Sequence, residues 1–237
     1  MTAKQILKEL KALGNENTKK ILLRHGAREP VFGVKVADLK QLLKKHKLKV
    51  DYQLALDLYA TGNFDAMYLA GLIADDEKMT KKDLKTWAKL AYGGWLPTFV
   101  VPWAASGNKH GWALALEWIE SKQELIAATG WWTICSMMSI KPDEKLDLPA
   151  LKKLLKRVEK EIQTERNYVK DSMNDYVVAL GSFVSGMKDI AIKAGEKIGP
   201  VMVDKGETAC GTPFSPDYIR KVESKGRLGK KRKSARC

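Results

Sequence analysis

Apolar residues recur at helical spacing along almost the whole chain, and the breaks between amphipathic stretches are only a few residues long. Residues 4–24 put Ile6, Leu7, Leu10 and Leu13 on one side of a helix and Lys4, Lys8 and Lys11 on the other. Leu39, Leu42 and Leu43 repeat the pattern over 37–48. A helix from Asp51 or Tyr52 to Ala60 stops at Thr61-Gly62-Asn63, and another from Phe64 to Ala74 follows directly. Thr80 reads as an N-cap, with Asp83 in the reciprocal position, opening a helix to about Tyr92. Shorter helices fill 96–140, divided by Ser106-Gly107 and Thr129-Gly130 and preceded by Gly93-Gly94. Leu151, Leu154, Leu155, Val158 and Ile162 make the clearest stripe, over 147–163. Helices over 167–183 and 187–198 complete the series, the last ended by Gly199-Pro200. Val201-Met202-Val203 is the one β-like run.

Connections this short make neighbouring helices antiparallel. The pairs restart near residues 51, 80, 109 and 147, at the roughly 30–40 residue period of stacked helix pairs of the HEAT type. The expected fold is an all-α solenoid of such pairs over residues 1–225, with 226–237 as a basic C-terminal tail. Periodicity alone leaves an irregular α-bundle open.

With 237 residues and 45% hydrophobic content, the chain can bury a sizeable core and is not disordered throughout. No apolar run approaches the roughly 20 residues of a membrane helix, and the start, MTAKQILKELKAL, is too charged for a secretory signal. Cys135, Cys210 and Cys237 are odd in number and far apart, which fits a reducing compartment. The expected location is the cytoplasm, on the nucleoid in a bacterial cell. The formal charge is +14, a field that attracts polyanions. Residues 220–237 carry +8 of it.

All seven tryptophans lie between 87 and 132. Most of that cluster reads as core, Trp87, Trp112 and Trp118 in particular. Trp95 and the pair Trp131-Trp132 follow glycines at helix entries. Adjacent helical residues do not share a face, so one of the pair is expected to be exposed. Aromatic rings in a basic setting suit nucleic acid, whose bases stack on them. Lys152, Lys156 and Lys160 line one face of the 147–163 helix, beside Lys153 and Arg157. They read either as phosphate contacts or as a solvated face. Lys230, Lys231, Arg232 and Lys233 form a polyanion-binding type of run; a disordered, soluble tail is the other reading. Glycine-rich phosphate loops, zinc spacing among His25, His46 and His110, and Ser-His-acid arrangements are missing, so no metal and no cofactor is expected.

Five stretches carry a family resemblance: Phe32-Gly33-Val34-Lys35-Val36-Ala37-Asp38-Leu39-Lys40; Gly62-Asn63-Phe64-Asp65-Ala66-Met67-Tyr68-Leu69-Ala70; Met173-Asn174; Thr208-Ala209-Cys210-Gly211-Thr212-Pro213; and Gly229-Lys230-Lys231-Arg232-Lys233-Ser234-Ala235-Arg236-Cys237. Over nearly its whole length the chain resembles the AlkD-like DNA alkylation repair family. The resemblance implies a right-handed solenoid of HEAT-like helix pairs whose concave basic face takes duplex DNA. It also implies metal-independent hydrolysis of the N-glycosidic bond of cationic alkylpurines such as 3-methyladenine and 7-methylguanine. A carboxylate would there stabilise an oxocarbenium-like sugar, and aromatic faces would hold the cationic nucleoside.

The chain departs from the family at the residues of that chemistry. Trp95 matches a family tryptophan, but Phe99 occupies the position of the catalytic Asp four residues later. Thr133 or Ile134 stands where the family has Arg, and Ser182 near a further family aromatic. No Asp, Glu or Arg lies between 95 and 116; Glu117 and Asp175 are the nearest substitutes. The sequence therefore leaves catalysis open. It points to a monomeric protein that binds duplex DNA, alkylated or not, through Trp95, Trp131, Trp132, the lysine band and the tail. The alternative is a non-catalytic HEAT-like scaffold for nucleic acid or protein.

Overall fold

The computed structural model describes residues 1–236; Cys237, which ends the basic tail, lies outside the described residues. The fold is all-α and made of HEAT-like helices. Among the described residues there are thirteen α-helices and no strand, and no helix is long and apolar enough to cross a membrane. The chain forms two compact units. The first comprises Met1–Gly111, Gly206–Thr208 and Arg236, the second Trp112–Lys205 and Ala209–Ala235.

The first unit holds α1 (Ala3–Leu13), α2 (Glu16–Arg24), α3 (Val36–Lys45), α4 (Tyr52–Ala60), α5 (Phe64–Ile73), α6 (Lys81–Leu90) and α7 (Val101–Gly107). The stretch 4–24, expected as one helix, is two. Asn15 caps α2, its side chain accepting from the Thr18 N–H at 3.0 Å. A Cβ on Gly14 would lie 2.7 Å from the Phe32 carbonyl oxygen. That tertiary contact interrupts a periodicity that Leu13 continues. At α6 the expected reciprocal cap is present: the Asp83 carboxylate accepts the Thr80 N–H at 2.8 Å and the Thr80 hydroxyl accepts the Asp83 N–H at 3.1 Å.

Helix α5 is apolar on nearly every side and buried along almost its whole length. Its one buried charge is Asp65, whose carboxylate accepts the backbone N–H groups of Phe32 (2.6 Å), Gly33 (3.3 Å) and Val34 (2.8 Å). Asn63 caps the same helix through the Ala66 N–H at 3.0 Å, and the Phe64 N–H donates to the Pro30 carbonyl at 3.0 Å. Loop 30–34 is thereby fastened to the start of α5. Tyr59 stacks on Trp87 with ring centres 4.1 Å apart, its hydroxyl donating to the Trp87 carbonyl at 2.9 Å.

The second unit holds α8 (Gly111–Trp118, entering from the last residue of the first unit), α9 (Glu124–Ile140), α10 (Leu148–Glu161), α11 (Asn167–Phe183), α12 (Lys188–Ile198) and α13 (Ser215–Ser224). The α10 stripe is buried as its spacing predicts, with Leu151, Leu154, Leu155 and Val158 inward and Ile162 just beyond. Val201–Val203 makes no strand: Val201 is buried but Met202 is 81% exposed, and no neighbouring strand exists to pair with it among the described residues. Helix α13 is an addition to the expected series. Arg220 and Lys221, counted with the basic run, are helical.

The tail is docked rather than disordered. Within the second unit the Gly229 N–H donates to the Ser182 carbonyl at 2.9 Å and the Arg232 N–H to the Ser139 carbonyl at 2.7 Å. Ala235 is buried. Within the first unit the Arg236 guanidinium donates to the carbonyls of Gly71 (2.7 Å) and Ala74 (3.0 Å) at the end of α5, and pairs with Asp76.

Asp65→Asn tests the loop clamp. An amide places an N–H donor where the carboxylate accepts one, leaving a buried backbone N–H unpaired. The variant is expected to lose about 2 kcal/mol of stability, read from the midpoint of urea unfolding.

Candidate nucleic-acid interface

In the first unit the chain enters the Trp95 segment through Gly93 and Gly94, at φ 24° and 58°. A Cβ on Gly93 would lie 1.9 Å from the Gly26 carbonyl oxygen, and one on Gly94 2.3 Å from that of His25. Only glycine allows the two backbones to meet this closely. Leu96–Val100 then forms one turn of π-helix, with the Val101 N–H donating to the Leu96 carbonyl. Pro102 accounts for the widened turn. It has no N–H for the carbonyl four residues back, and its ring clashes with that carbonyl in a regular α-helix.

This turn orders a row of rings. Trp95 is half-buried, with its ring centre 6.2 Å from Phe64 and 5.6 Å from Tyr68. Tyr68 meets Trp103 edge-on at 5.4 Å. Trp103 lies 6.0 Å from Phe99, the two planes 23° apart. At the other end Phe64 adjoins Tyr92, and the Arg28 guanidinium lies 5.7 Å from the Tyr92 ring centre. Burial pushes the Tyr92 hydroxyl up to about 12, so it is a neutral donor, to the Gly62 carbonyl at 3.0 Å. Phe99 is 42% exposed. The position that the resemblance assigns to a carboxylate thus presents an apolar ring.

The second unit corrects the reading of Trp131 and Trp132. Both are buried, at 0% and 4% exposure. Helix α9 is apolar on several sides and covered on them, so adjacent residues both find cover. Trp131 meets Tyr176 of α11 edge-on at 5.2 Å, and the Trp132 indole N–H donates to Asp175 of the same helix at 2.9 Å. Neither offers a ring face to a base.

Lys152, Lys156 and Lys160 are exposed on α10. Arg157 turns back to Glu161 (2.8 Å) and Glu120, and lies 5.9 Å from the Trp131 ring centre. In the tail Lys230, Arg232 and Lys233 are exposed, whereas Lys231 is engaged with Asp143 at 2.7 Å and with the Met138 carbonyl at 2.9 Å. Sequence spacing finds these charges but not their partners.

Of the two substitute carboxylates, Glu117 is exposed on α8. Asp175 is half-buried on α11. Burial, and then the Asp171 carboxylate, push it up to about 6, against the Trp132 hydrogen bond and the charge of Lys205. Lys205 pairs directly with Asp171. Asp175 is thus a carboxyl that gives up its proton near pH 6, in a different unit from Trp95. Ser182 is buried beside the docked tail. Among the described residues no three His, Cys, Asp or Glu converge on a possible metal position. The Phe99 platform and the rings behind it were not legible as a row; the prolines at 97 and 102 are the local signal for the turn that builds it.

The Asp175 shift fixes the sign of a pH effect. The folded chain holds this proton up to about pH 6, the unfolded chain only to about pH 4. The stabilisation it brings is present at low pH and is lost as pH rises through the folded value. Asp175→Asn keeps an acceptor for Trp132 and removes the charge. It is expected to melt at or above wild type at pH 7.5, with the difference closing by pH 4 in a thermal melt series.

Comparison with known proteins adds to this geometry. Residues 6–182 match the family described as "DNA alkylation repair enzyme". The protein Lin0241 of Listeria innocua is 30% identical over 228 residues, 95% of this chain and 99% of the relative. Lmo0209 of Listeria monocytogenes is 31% identical over the same shares. A solved structure covers 100% of both chains at 34% identity with a TM-score of 0.92. It is described as one of a new family of proteins related to the HEAT-like repeat DNA glycosylases with affinity for branched DNA structures. With three quarters of its length matched and relatives aligned end to end, the chain belongs to the DNA alkylation repair family.

Proposed function

We propose that this protein binds DNA, branched DNA in preference to plain duplex, and does not excise bases at the Trp95–Phe99 turn. The observation that carries the reading is the full-length likeness to a solved relative with affinity for branched DNA structures. Two features of this chain support it. The turn offers aromatic surface but no carboxylate to stabilise a developing sugar cation: Phe99 stands there, and residues 95–108 contain no ionisable side chain. The exposed Lys152, Lys156 and Lys160 supply positive charge that contacts phosphates without reading sequence.

Alkylpurine excision is the second reading, favoured by one observation: Asp175 is a carboxylate held by an indole N–H and titrating at about 6. A single-turnover assay with excess protein on duplex containing 7-methylguanine separates the two. The first reading expects no free base; release of base, abolished by Asp175→Asn, would establish the second.

The binding itself is tested by titrating a four-way junction and a linear duplex of equal length over a range of salt. The junction is expected to bind more tightly, and both affinities to fall steeply with salt. Replacing Lys152, Lys156 and Lys160 with Glu is expected to weaken both DNAs alike. It is also expected to flatten the salt slope by about 1 for each phosphate that is no longer neutralised. An unchanged slope would assign the band to solvated surface. Binding insensitive to salt would favour a protein-binding scaffold.

A further inference from the structure

The ring of Phe99 combines exposure with an aromatic stack. Its neighbours in the turn, Leu96, Pro97 and Val100, are buried, whereas Phe99 is 42% exposed. Leaving part of an aromatic side chain in water forgoes burial energy at roughly 25 cal/mol per Å². The ring is nevertheless supported from within the fold. One face is taken by Trp103 at 6.0 Å with planes 23° apart, and Trp103 is itself 4% exposed and braced edge-on by Tyr68. The backbone beneath is a π-turn set by Pro102, and the Thr98 hydroxyl ties it to the Gly94 carbonyl at 2.8 Å. A flat apolar ring stacked on a buried indole and 42% exposed offers a platform to another flat group.

The chemistry of the surroundings narrows what that group is. From Trp95 to Asn108 the chain has no charged side chain, so the turn itself offers no ion pair to a phosphate. A base inside an intact duplex already has both faces stacked and cannot use it. An unpaired base has a free face. Resting on the DNA-binding reading above, we propose that Phe99 stacks on an unpaired nucleobase at a DNA branch point and so contributes the preference for branched over linear DNA. The base continues the stack begun by Trp103 and Phe99. Stacking of this kind tolerates any base identity, since every base has a π-face. Phe99 is a binding residue here and takes part in no bond-making step.

The test uses the full-length protein and a three-way DNA junction carrying 2-aminopurine as an unpaired base at the branch, with a linear duplex of equal length beside it. Stacking on an aromatic ring changes 2-aminopurine fluorescence, so wild-type protein is expected to alter the junction signal as it binds. Phe99→Ala is expected to abolish that change and weaken junction binding about tenfold, while linear-duplex affinity stays within twofold. Phe99→Trp is expected to restore both, which shows that the alanine result reports the ring and not misfolding. Wild-type protein that binds the junction with no fluorescence change would overturn the stacking while leaving DNA binding intact. So would a Phe99→Ala protein that binds the junction as tightly as wild type, or loses affinity equally on both DNAs. A wild-type protein with no affinity for either DNA would overturn the DNA-binding reading itself, and this inference with it.

Discussion

The Asp65 carboxylate is where the first unit draws distant stretches of chain into register. A charge buried in an apolar helix is costly unless its oxygens are filled, and three consecutive backbone N–H groups at 32–34 fill them. Burial still pushes this carboxyl up, so the three donors offset the cost only in part. What the arrangement secures is position. It fixes α5 against the loop, and α5 presents Phe64 and, one turn later, Tyr68. Those rings flank Trp95, and Tyr68 also braces Trp103, which supports Phe99. The exposed ring at the surface is thus joined, side chain by side chain, to a carboxylate buried out of reach of solvent.

The parts of the fold legible in the sequence are those set by neighbours along the chain. The α10 stripe and the Thr80–Asp83 cap need only residues within a turn or two of one another, and both form as read. The parts missed depend on partners far away. Helix 4–24 breaks because Gly14 lies against Phe32. Val201–Val203 has the pattern of a strand but, among the described residues, nothing to pair with. Trp131 and Trp132 are both buried because α9 is covered on more than one side, which the rule of one apolar face does not anticipate. Of the candidate site, the Trp95-to-Phe99 spacing was visible and the row of rings behind it was not, since Phe64, Tyr68 and Tyr92 come from other elements.

Charge is distributed differently from its sequence total. The +14 count suggests a broad polyanion-seeking surface, yet several basic groups are occupied inside their own unit. Arg157, Lys205 and Lys231 pair with carboxylates in the second unit and Arg236 in the first. All four cations are part-buried. The part-buried Lys231 and Arg236 also satisfy backbone carbonyls, so they act chiefly as fastenings. Lys152, Lys156 and Lys160 on α10 remain exposed, as the proposed phosphate contact requires.

The Arg236–Asp76 pair has a consequence for the order of assembly. The partners are 160 residues apart in the chain, and burial pushes Asp76 up even with the guanidinium beside it. During synthesis at about 5–20 residues per second, α5 leaves the ribosome roughly 8 to 30 seconds before the arginine that takes its last carbonyls. Over that interval the nascent first unit has an unneutralised acidic group and open carbonyls at the end of its most buried helix. The unit reaches its complete form only after nearly all of the second has been translated.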